Sequence, residues 1–239
     1  MKADPVFVAI DTTDPAEARG WAGRLAGAVG GIKLGLEFFA AQGPAGVRAV
    51  SAEAPTLPLF LDLKLHDIPN TVAGAVRAVA PLNPRYLTIH AAGGPAMLRA
   101  AAEAAAQGTD KPGAGRVKLL GVTILTSLDA SDLTRVGFAE RSMSQHAGAL
   151  ASLARDCGLD GVVCSPHETA GLRRALGPEF VLMVPGVRPS WAAAGDQKRV
   201  MTPAEAMRAG ATHLVIGRPI TRAADPVEAA RRIAAELAA

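Results

Sequence analysis

The chain alternates short runs of β-branched and apolar residues with alanine-rich stretches, and this alternation continues to its end. Signals for helix starts lie between the runs, among them Asp14-Pro15, Pro95 and Asp225-Pro226, and a short extra helix is predicted near Ser131. Strands that alternate with helices are typical of βαβ units and a parallel sheet. The eight predicted strands are residues 6–11, 31–36, 59–65, 86–90, 118–125, 161–165, 180–185 and 213–217.

Eight such units in 239 residues predict the α/β class and a single (β/α)8 TIM barrel that spans residues 1–239. The rival architecture is an open doubly wound sheet, which ordinarily carries a glycine-rich nucleotide-binding turn after an early strand. Neither G-x-G-x-x-G nor G-x-x-x-x-G-K-[ST] occurs in the sequence. The closed barrel is therefore the prediction.

Composition and charge exclude several classes of protein. The chain is 49% hydrophobic and has two cysteines, which excludes a disordered or a disulfide-stapled chain. Its net charge of +3 is spread along the sequence, so a nucleic-acid partner is not expected. No apolar run approaches the roughly 18 residues of a membrane span. We therefore expect no membrane contact. Cys157 and Cys164 form neither a C-x-x-C pair nor a metal-ligand cluster, so we expect a reducing, cytoplasmic setting.

Polar residues gather where the predicted strands end. In a barrel of this kind, the carboxyl ends of the strands face the active-site mouth, while earlier inward positions fill the core. We therefore expect the polar groups of different strands to converge there. The mouth would receive Asp11, Lys33, Asp62, Lys64, His90, Thr126, Ser127, Ser165, Arg188, Gly217 and Arg218.

The third predicted strand carries the strongest chemical signal. With a period of two, Phe60, Asp62, Lys64 and His66 point to one face, and the intervening leucines point to the other. The alternative is an edge strand with solvated charges, but strands of parallel sheets are usually buried on both faces.

Charges inside a barrel are costly unless they are paired. Asp62, Lys64, Asp67 and the neighbouring Lys33 supply two charges of each sign. A lysine flanked by carboxylates stays an ammonium ion, which favours a proton donor and carbanion stabiliser over a Schiff-base nucleophile.

These residues resemble the signature of the orotidine 5'-phosphate decarboxylase family. The main motif is Asp62-Leu-Lys64-Leu-His66-Asp67-Ile-Pro-Asn70-Thr71, and the resemblance covers nearly the whole chain. The flanking motifs follow in the family's order: Ala9-Ile10-Asp11, Lys33-Leu34-Gly35, Leu125-Thr126-Ser127, Pro185-Gly186-Val187-Arg188-Pro189, Gly195-Asp196-Gln197 and Ile216-Gly217-Arg218-Pro219. The resemblance implies an enzyme that converts orotidine 5'-monophosphate (OMP) to UMP and carbon dioxide in pyrimidine biosynthesis, with no metal or organic cofactor.

The resemblance also implies the roles of individual residues. Lys64 is the expected proton donor to C6, and Asp62 is expected beside the departing carboxylate, where it either destabilises the ground state or organises the lysines. Asp67 completes the network with Lys33. Asp67 and Thr71 are expected to reach into the partner subunit's site, which implies a homodimer with shared sites. The other implied contacts are Asp11 and Lys33 at the ribose, Thr126 and Ser127 at the pyrimidine, and Arg188, Gln197, Gly217 and Arg218 at the phosphate, with residues 188–196 as a lid.

Two other functions fit part of the pattern. Asp62, Lys64 and Asp67 have the D-x-K-x-x-D spacing of related Mg²⁺-dependent enzymes that act on keto-sugar phosphates. Those enzymes typically have an acid where Lys33 stands, and a lysine there opposes cation binding. A non-catalytic barrel that binds a nucleotide phosphate would have no need of the charge network.

The remaining reactive side chains point to no second chemistry. His66 and His90 are interpreted as structural, because no third metal ligand stands at a suitable spacing. The two cysteines are interpreted as small buried apolar groups. The sequence 165–167 lacks a nucleophile elbow, so it does not support a hydrolase triad.

Overall fold

Eight parallel strands close into a barrel in chain order, and the last strand pairs with the first. The computed structural model describes residues 4–107, 115–192 and 201–238. The predicted (β/α)8 barrel is confirmed. The strands are β1 (Val6–Ile10), β2 (Gly31–Gly35), β3 (Leu59–Leu65), β4 (Tyr86–His90), β5 (Lys118–Val122), β6 (Gly161–Val163), β7 (Val181–Pro185) and β8 (His213–Ile216).

Helices follow the strands and cover the outside of the barrel. In the described ranges they are α1 (Pro15–Leu25), α2 (Leu36–Glu53), α3 (Pro69–Val79), α4 (Gly94–Ala106), α5 (Ala130–Arg135), α6 (Met143–Asp156), α7 (Thr169–Leu176), α8 (Pro203–Arg208), α9 (Arg218–Thr221) and α10 (Pro226–Ala238). The predicted starts are present: Asp14 accepts the Ala16 N–H at the beginning of α1, and Asp225 accepts the Val227 N–H before α10. The extra helix is α5. No helix in these ranges is long and apolar enough to cross a membrane.

The period of two on β3 separates two apolar layers. Phe60 belongs to the cluster inside the barrel, whereas Leu61 and Leu63 belong to the outer cluster that includes side chains of the surrounding helices. Each such buried side chain stabilises the fold by about 1.5–3 kcal/mol relative to an exposed one. The alternation predicted from the sequence therefore sets which residues of β3 face the barrel interior.

Aromatic rings fill the amino-terminal half of the barrel interior. The Phe7 ring packs edge-on against Phe60, Tyr86 and His213, with ring centroids 6.2, 5.7 and 5.2 Å away. The Tyr86 hydroxyl also lies 2.9 Å from His213 Nε2. This cluster fills the barrel near the amino ends of the strands. The charged residues of β2 and β3 lie nearer the carboxyl ends.

Candidate active site

A cavity of about 300 Å³ opens at the carboxyl ends of the strands. Its walls combine charged groups from five strand ends with apolar side chains such as Ile124, Val163 and Val215. This combination is typical of a small-molecule site, in which apolar walls exclude water and a few polar groups fix orientation. The predicted site residues that line the cavity are Asp11, Lys33, Asp62, Lys64, Thr126, Arg188, Gly217 and Arg218.

Four of these residues form a chain of alternating charge. Lys33 Nζ lies 3.2 Å from Asp11 Oδ1 and 3.8 Å from Asp62 Oδ2, and Lys64 Nζ lies 2.7 Å from the same Asp62 oxygen. Lys33 and Asp62 are nearly buried, with 11% and 14% of their side chains exposed. Two ammonium groups and two carboxylates balance each other, which offsets the cost of desolvating them.

The backbone of β3 is irregular where it carries these charges. Leu61 pairs with Leu87 and Leu65 pairs with Ile89, so three residues of β3 face a single residue of β4 between the two pairs. Lys64 has a φ of +51°, in the left-handed region that costs a non-glycine residue about 1–2 kcal/mol. The strained conformation turns Lys64 so that its ammonium group meets Asp62 in the cavity.

The residue of β4 opposite this bulge is Thr88, which the sequence analysis did not select. Thr88 is fully buried, and its hydroxyl lies 2.9 Å both from Asp62 Oδ1 and from the Lys64 backbone nitrogen. The signal in the sequence was a threonine between the apolar residues Leu87 and Ile89 of β4. Its significance depends on the bulge, which the sequence pattern did not reveal.

Gly35 provides space beside Lys33. A Cβ atom at Gly35 would lie 3.3 Å from Lys33 Nζ, closer than most real contacts, so a larger residue would push the ammonium group aside. Gly35 pairs with Asp62 across β2 and β3. The glycine at the end of β2 therefore leaves room for the Lys33 side chain next to its carboxylate partner.

Loops after β7 and β8 bring two more charged residues, Arg188 and Arg218, into the wall of the cavity. Gly186 has a φ of +77°, and the chain then runs through Arg188, which is only 9% exposed. Gly217 and Arg218 stand at the start of α9, directly after β8. Guanidinium groups and the amide N–H groups of such a turn suit a phosphate. Gln197 lies outside the described residues.

The other predicted residues lie away from the charged network. Thr126 lines the cavity, whereas Ser127 is exposed in the same turn and does not line it. Asp67 and Thr71 are exposed and do not line it either. Asp67 Oδ1 instead accepts the Ile68 N–H at 2.6 Å. Within the described part of this single chain, Asp67 has no ion pair with Lys33 or Lys64.

The histidines and cysteines near the mouth have structural surroundings. The rings of His66 and His90 pack against each other with centroids 5.2 Å apart, and burial, followed by the nearby His66 and Lys64, lowers the pKa of His90. Burial raises the pKa of the Cys164 thiol to about 12, which opposes thiolate chemistry. The described residues contain no group of three or more His, Cys, Asp or Glu side chains arranged to hold a metal ion.

Known proteins resemble this chain over nearly its full length. Residues 4–233 match the sequence model of the orotidine 5'-phosphate decarboxylase / HUMPS family. An orotidine 5'-phosphate decarboxylase of Paramagnetospirillum magneticum is 56% identical over 234 residues, which are 98% of each chain. One of Rhodospirillum rubrum is 57% identical over 237 residues, which are 99% of this chain and 95% of that protein. The crystal structure of orotidine 5'-phosphate decarboxylase from Lactobacillus acidophilus superimposes with a TM-score of 0.87 at 34% identity, covering 99% of this chain and 100% of that one.

Proposed function

The chain belongs to the orotidine 5'-phosphate decarboxylase / HUMPS family, and from this membership we propose that it converts OMP to UMP and carbon dioxide in pyrimidine biosynthesis. The observation that carries the proposal is the Lys64 ammonium group, held 2.7 Å from Asp62 in a partly apolar cavity with a second ammonium group nearby. That arrangement suits a reaction in which negative charge develops on a carbon atom and is then protonated.

The proposed chemistry breaks one bond and forms another at C6 of the pyrimidine. The bond from C6 to the carboxylate carbon breaks, its electron pair stays on C6, and carbon dioxide leaves. The Lys64 ammonium group stabilises this charge and delivers its proton to C6, which gives UMP and a neutral amine. A proton from solvent then restores the ammonium group. Overall, one OMP and one proton give one UMP and one carbon dioxide.

Asp62 has two tasks in this proposal. Its Oδ2 atom contacts Lys64 and lies 3.8 Å from Lys33, so it aligns both ammonium groups. Its negative charge also faces the substrate carboxylate, and the repulsion between them disappears when neutral carbon dioxide leaves. Lys33 is placed between Asp11 and Asp62, which supports its assignment with Asp11 to the ribose hydroxyl groups.

The phosphate end of the substrate is assigned to the loops after β7 and β8. Arg188, Gln197, Gly217 and Arg218 would bind the phosphate dianion, while Thr126 and Ser127 would bind the pyrimidine edge. The predicted lid is residues 188–196, of which 193–196 lie outside the described residues. Binding of the unreactive phosphate would provide free energy for closing this lid and excluding water from the reacting carbon. The nearly buried Arg188 in the cavity wall supports this assignment.

We propose that the active enzyme is a homodimer with shared sites. Asp67 lies just before α3 and Thr71 lies in its first turn, and Ile68 between them is 67% exposed. Leu36 follows the adjacent strand β2 and is 58% exposed. Large apolar side chains exposed at the mouth favour burial against a second copy. In the dimer, Asp67 and Thr71 would enter the partner subunit's site and complete its charge network.

The proposed enzyme is one catalytic barrel that uses small-molecule substrates and no cofactor. It has no nucleic-acid or membrane partner in this proposal. Cys157 and Cys164 are both free and buried, which supports a reducing, cytoplasmic setting.

The main rival is a Mg²⁺-dependent enzyme that acts on a keto-sugar phosphate. Its metal would need a carboxylate cluster, but Lys33 stands between Asp11 and Asp62 and would repel a divalent cation. The second rival, a non-catalytic phosphate-binding barrel, gives no reason for the strained Lys64 or for two nearly buried charges.

Turnover of OMP in excess EDTA separates these three functions. We expect full OMP turnover in EDTA and no conversion of a keto-hexose phosphate with added Mg²⁺. Loss of OMP turnover on chelation, with recovery on adding Mg²⁺, would contradict the metal-free proposal. Binding of UMP without OMP turnover would favour the non-catalytic barrel.

A further inference from the structure

We propose that Thr88 is a positioning residue for this reaction, because its hydroxyl group holds the Asp62 side chain and the Lys64 backbone in one arrangement. The inference rests on the proposed function, in which these two residues act at the reacting carbon. Thr88 is fully buried in β4, between Tyr86, which belongs to the barrel-interior cluster, and His90. It does not line the cavity and would not touch the substrate.

The directions of the two hydrogen bonds follow from their chemistry. The Lys64 backbone N–H can only donate, so Thr88 Oγ1 accepts it at 2.9 Å. The single hydroxyl proton of Thr88 is then available to Asp62 Oδ1, also 2.9 Å away. Because a hydrogen-bond donor must meet an unprotonated oxygen, Oδ1 is the acceptor in this arrangement.

These bonds leave the other carboxylate oxygen free to face the lysines. Asp62 Oδ1 is engaged by Thr88, while Oδ2 lies 2.7 Å from Lys64 Nζ and 3.8 Å from Lys33 Nζ. Rotation of the carboxylate would break the Thr88 bond and the Lys64 contact together. The hydroxyl of Thr88 therefore fixes which way Asp62 presents its charge.

The bulge explains why a side chain is needed at this position. Between the Leu61–Leu87 and Leu65–Ile89 pairs, residues 62–64 of β3 face Thr88 alone on β4. The regular ladder is interrupted there, and the Lys64 N–H bonds to a side-chain oxygen instead. The same bond stabilises the left-handed backbone of Lys64, whose φ is +51°.

Replacing the hydroxyl by a methyl group tests the proposal with little change in volume. In Thr88→Val, the Lys64 N–H and Asp62 Oδ1 lose their shared partner. We expect kcat to fall by about 100-fold, the scale of a misplacement of about 1 Å in a catalytic group. The KM for OMP and the Kd for UMP should stay within about threefold, because the phosphate contacts remain. Thr88→Ser keeps the hydroxyl and should restore kcat to within about threefold of the wild type.

Thr169→Val is the matched control for losing a buried hydroxyl group. Thr169 is also fully buried, and its hydroxyl donates to the Ser165 carbonyl oxygen at α7, outside the charge network. We expect this variant to lose thermal stability but keep kcat. If Thr88→Val kept kcat and only had a lower Tm, like the control, Thr88 would be structural and the proposal would be wrong. Equal loss of kcat in Thr88→Val and Thr88→Ser would also contradict it.

A crystal structure of Thr88→Val tests the positioning directly and without any activity. We expect Asp62 Oδ2 and Lys64 Nζ to separate beyond ion-pair distance, while Thr88→Ser retains the contact. An unchanged contact in Thr88→Val would overturn the proposal. If the wild-type chain failed to turn over OMP, the proposed function would fail, whereas this structural result would still decide the role of Thr88.

Discussion

Lys64 Nζ lies 2.7 Å from Asp62 Oδ2, although the two residues stand only two positions apart on β3. Such residues on a regular strand share a face with their Cα atoms about 6.6 Å apart and their side chains roughly parallel. The bulge opposite Thr88 and the left-handed backbone of Lys64 accompany the close contact of the two charges. The strand therefore presents a paired ammonium and carboxylate group to one small volume of the cavity.

The shared-site homodimer predicts that two inactive variants complement each other. Lys64→Ala chains lack the proposed proton donor, and Asp67→Ala chains lack the residue proposed to enter the partner subunit's site. In a mixed dimer, one of the two sites has both residues intact. When equal amounts associate at random, about half of the dimers are mixed. Because each mixed dimer has one intact site of two, we expect about one quarter of the wild-type activity per chain. Activity is measured after the variants are unfolded and refolded together, with mixed dimers verified by distinct tags. No recovery in verified mixed dimers would contradict a site completed by Asp67.

His213 predicts a specific dependence of stability on pH. Burial lowers its pKa to about 4, from an ordinary value of about 6.5. Below pH 6.5 the unfolded chain gains a proton at this site while the folded chain does not, so stability falls until the pH reaches about 4. The loss from His213 should total about 3 kcal/mol over this window.

The replacement His213→Gln isolates this contribution. Denaturant unfolding of both proteins at several pH values gives the difference in their free energies of unfolding. We expect this difference to shift against the wild type by about 3 kcal/mol between pH 7 and pH 4. Parallel pH profiles for the two proteins would show that His213 does not stay neutral in the folded state.

Arg173 predicts a large effect on stability far from the cavity. Its guanidinium group donates to the carbonyl oxygens of Gly177, Phe180 and Gly210 and to the Thr212 hydroxyl, joining α7 to the loops before β7 and β8. Arg173→Ala should lower the free energy of unfolding by about 3 kcal/mol, because several acceptors lose a charged donor together. That corresponds to a fall in Tm of about 6–12 °C for a chain of this length.

Arg174→Ala is the control, since the neighbouring Arg174 is exposed on the same helix. It should leave Tm nearly unchanged, and both variants should keep kcat at temperatures where they are folded. Equal changes in Tm for the two variants would mean that the bonds of Arg173 add nothing beyond a surface charge.

The sequence predicted the barrel because the helix starts and strands of the βαβ units have recognisable local sequence patterns. The Asp14-Pro15 and Asp225-Pro226 signals marked helix starts, and the runs at β3 and β4 matched the observed strands to the residue. The predicted β5 extended to residue 125, but the ladder ends at Val122. The apolar residues Ile124 and Leu125 there line the cavity instead of continuing the strand.

The sequence predicted less of the site, because its details depend on tertiary structure. A period of two placed Asp62 and Lys64 on one face, but it assumes a regular strand and so missed the bulge and Thr88. Asp67 belongs to the same motif, but in the single chain its carboxylate accepts a hydrogen bond from the Ile68 N–H and does not join the network. Its predicted role depends on a second subunit, which no pattern within one strand reveals.

The central claim is that the Lys64 ammonium group delivers the proton that completes decarboxylation, and Lys64 variants test it most directly. The decrease in OMP absorbance is followed with purified wild-type protein, Lys64→Ala and Lys64→Arg, with no metal added. Arginine keeps the positive charge but holds its protons too firmly to donate one. We predict that both variants lose activity by about 10⁴-fold or more while binding UMP within about tenfold of the wild type. Turnover of OMP by either variant at near the wild-type rate would contradict the account.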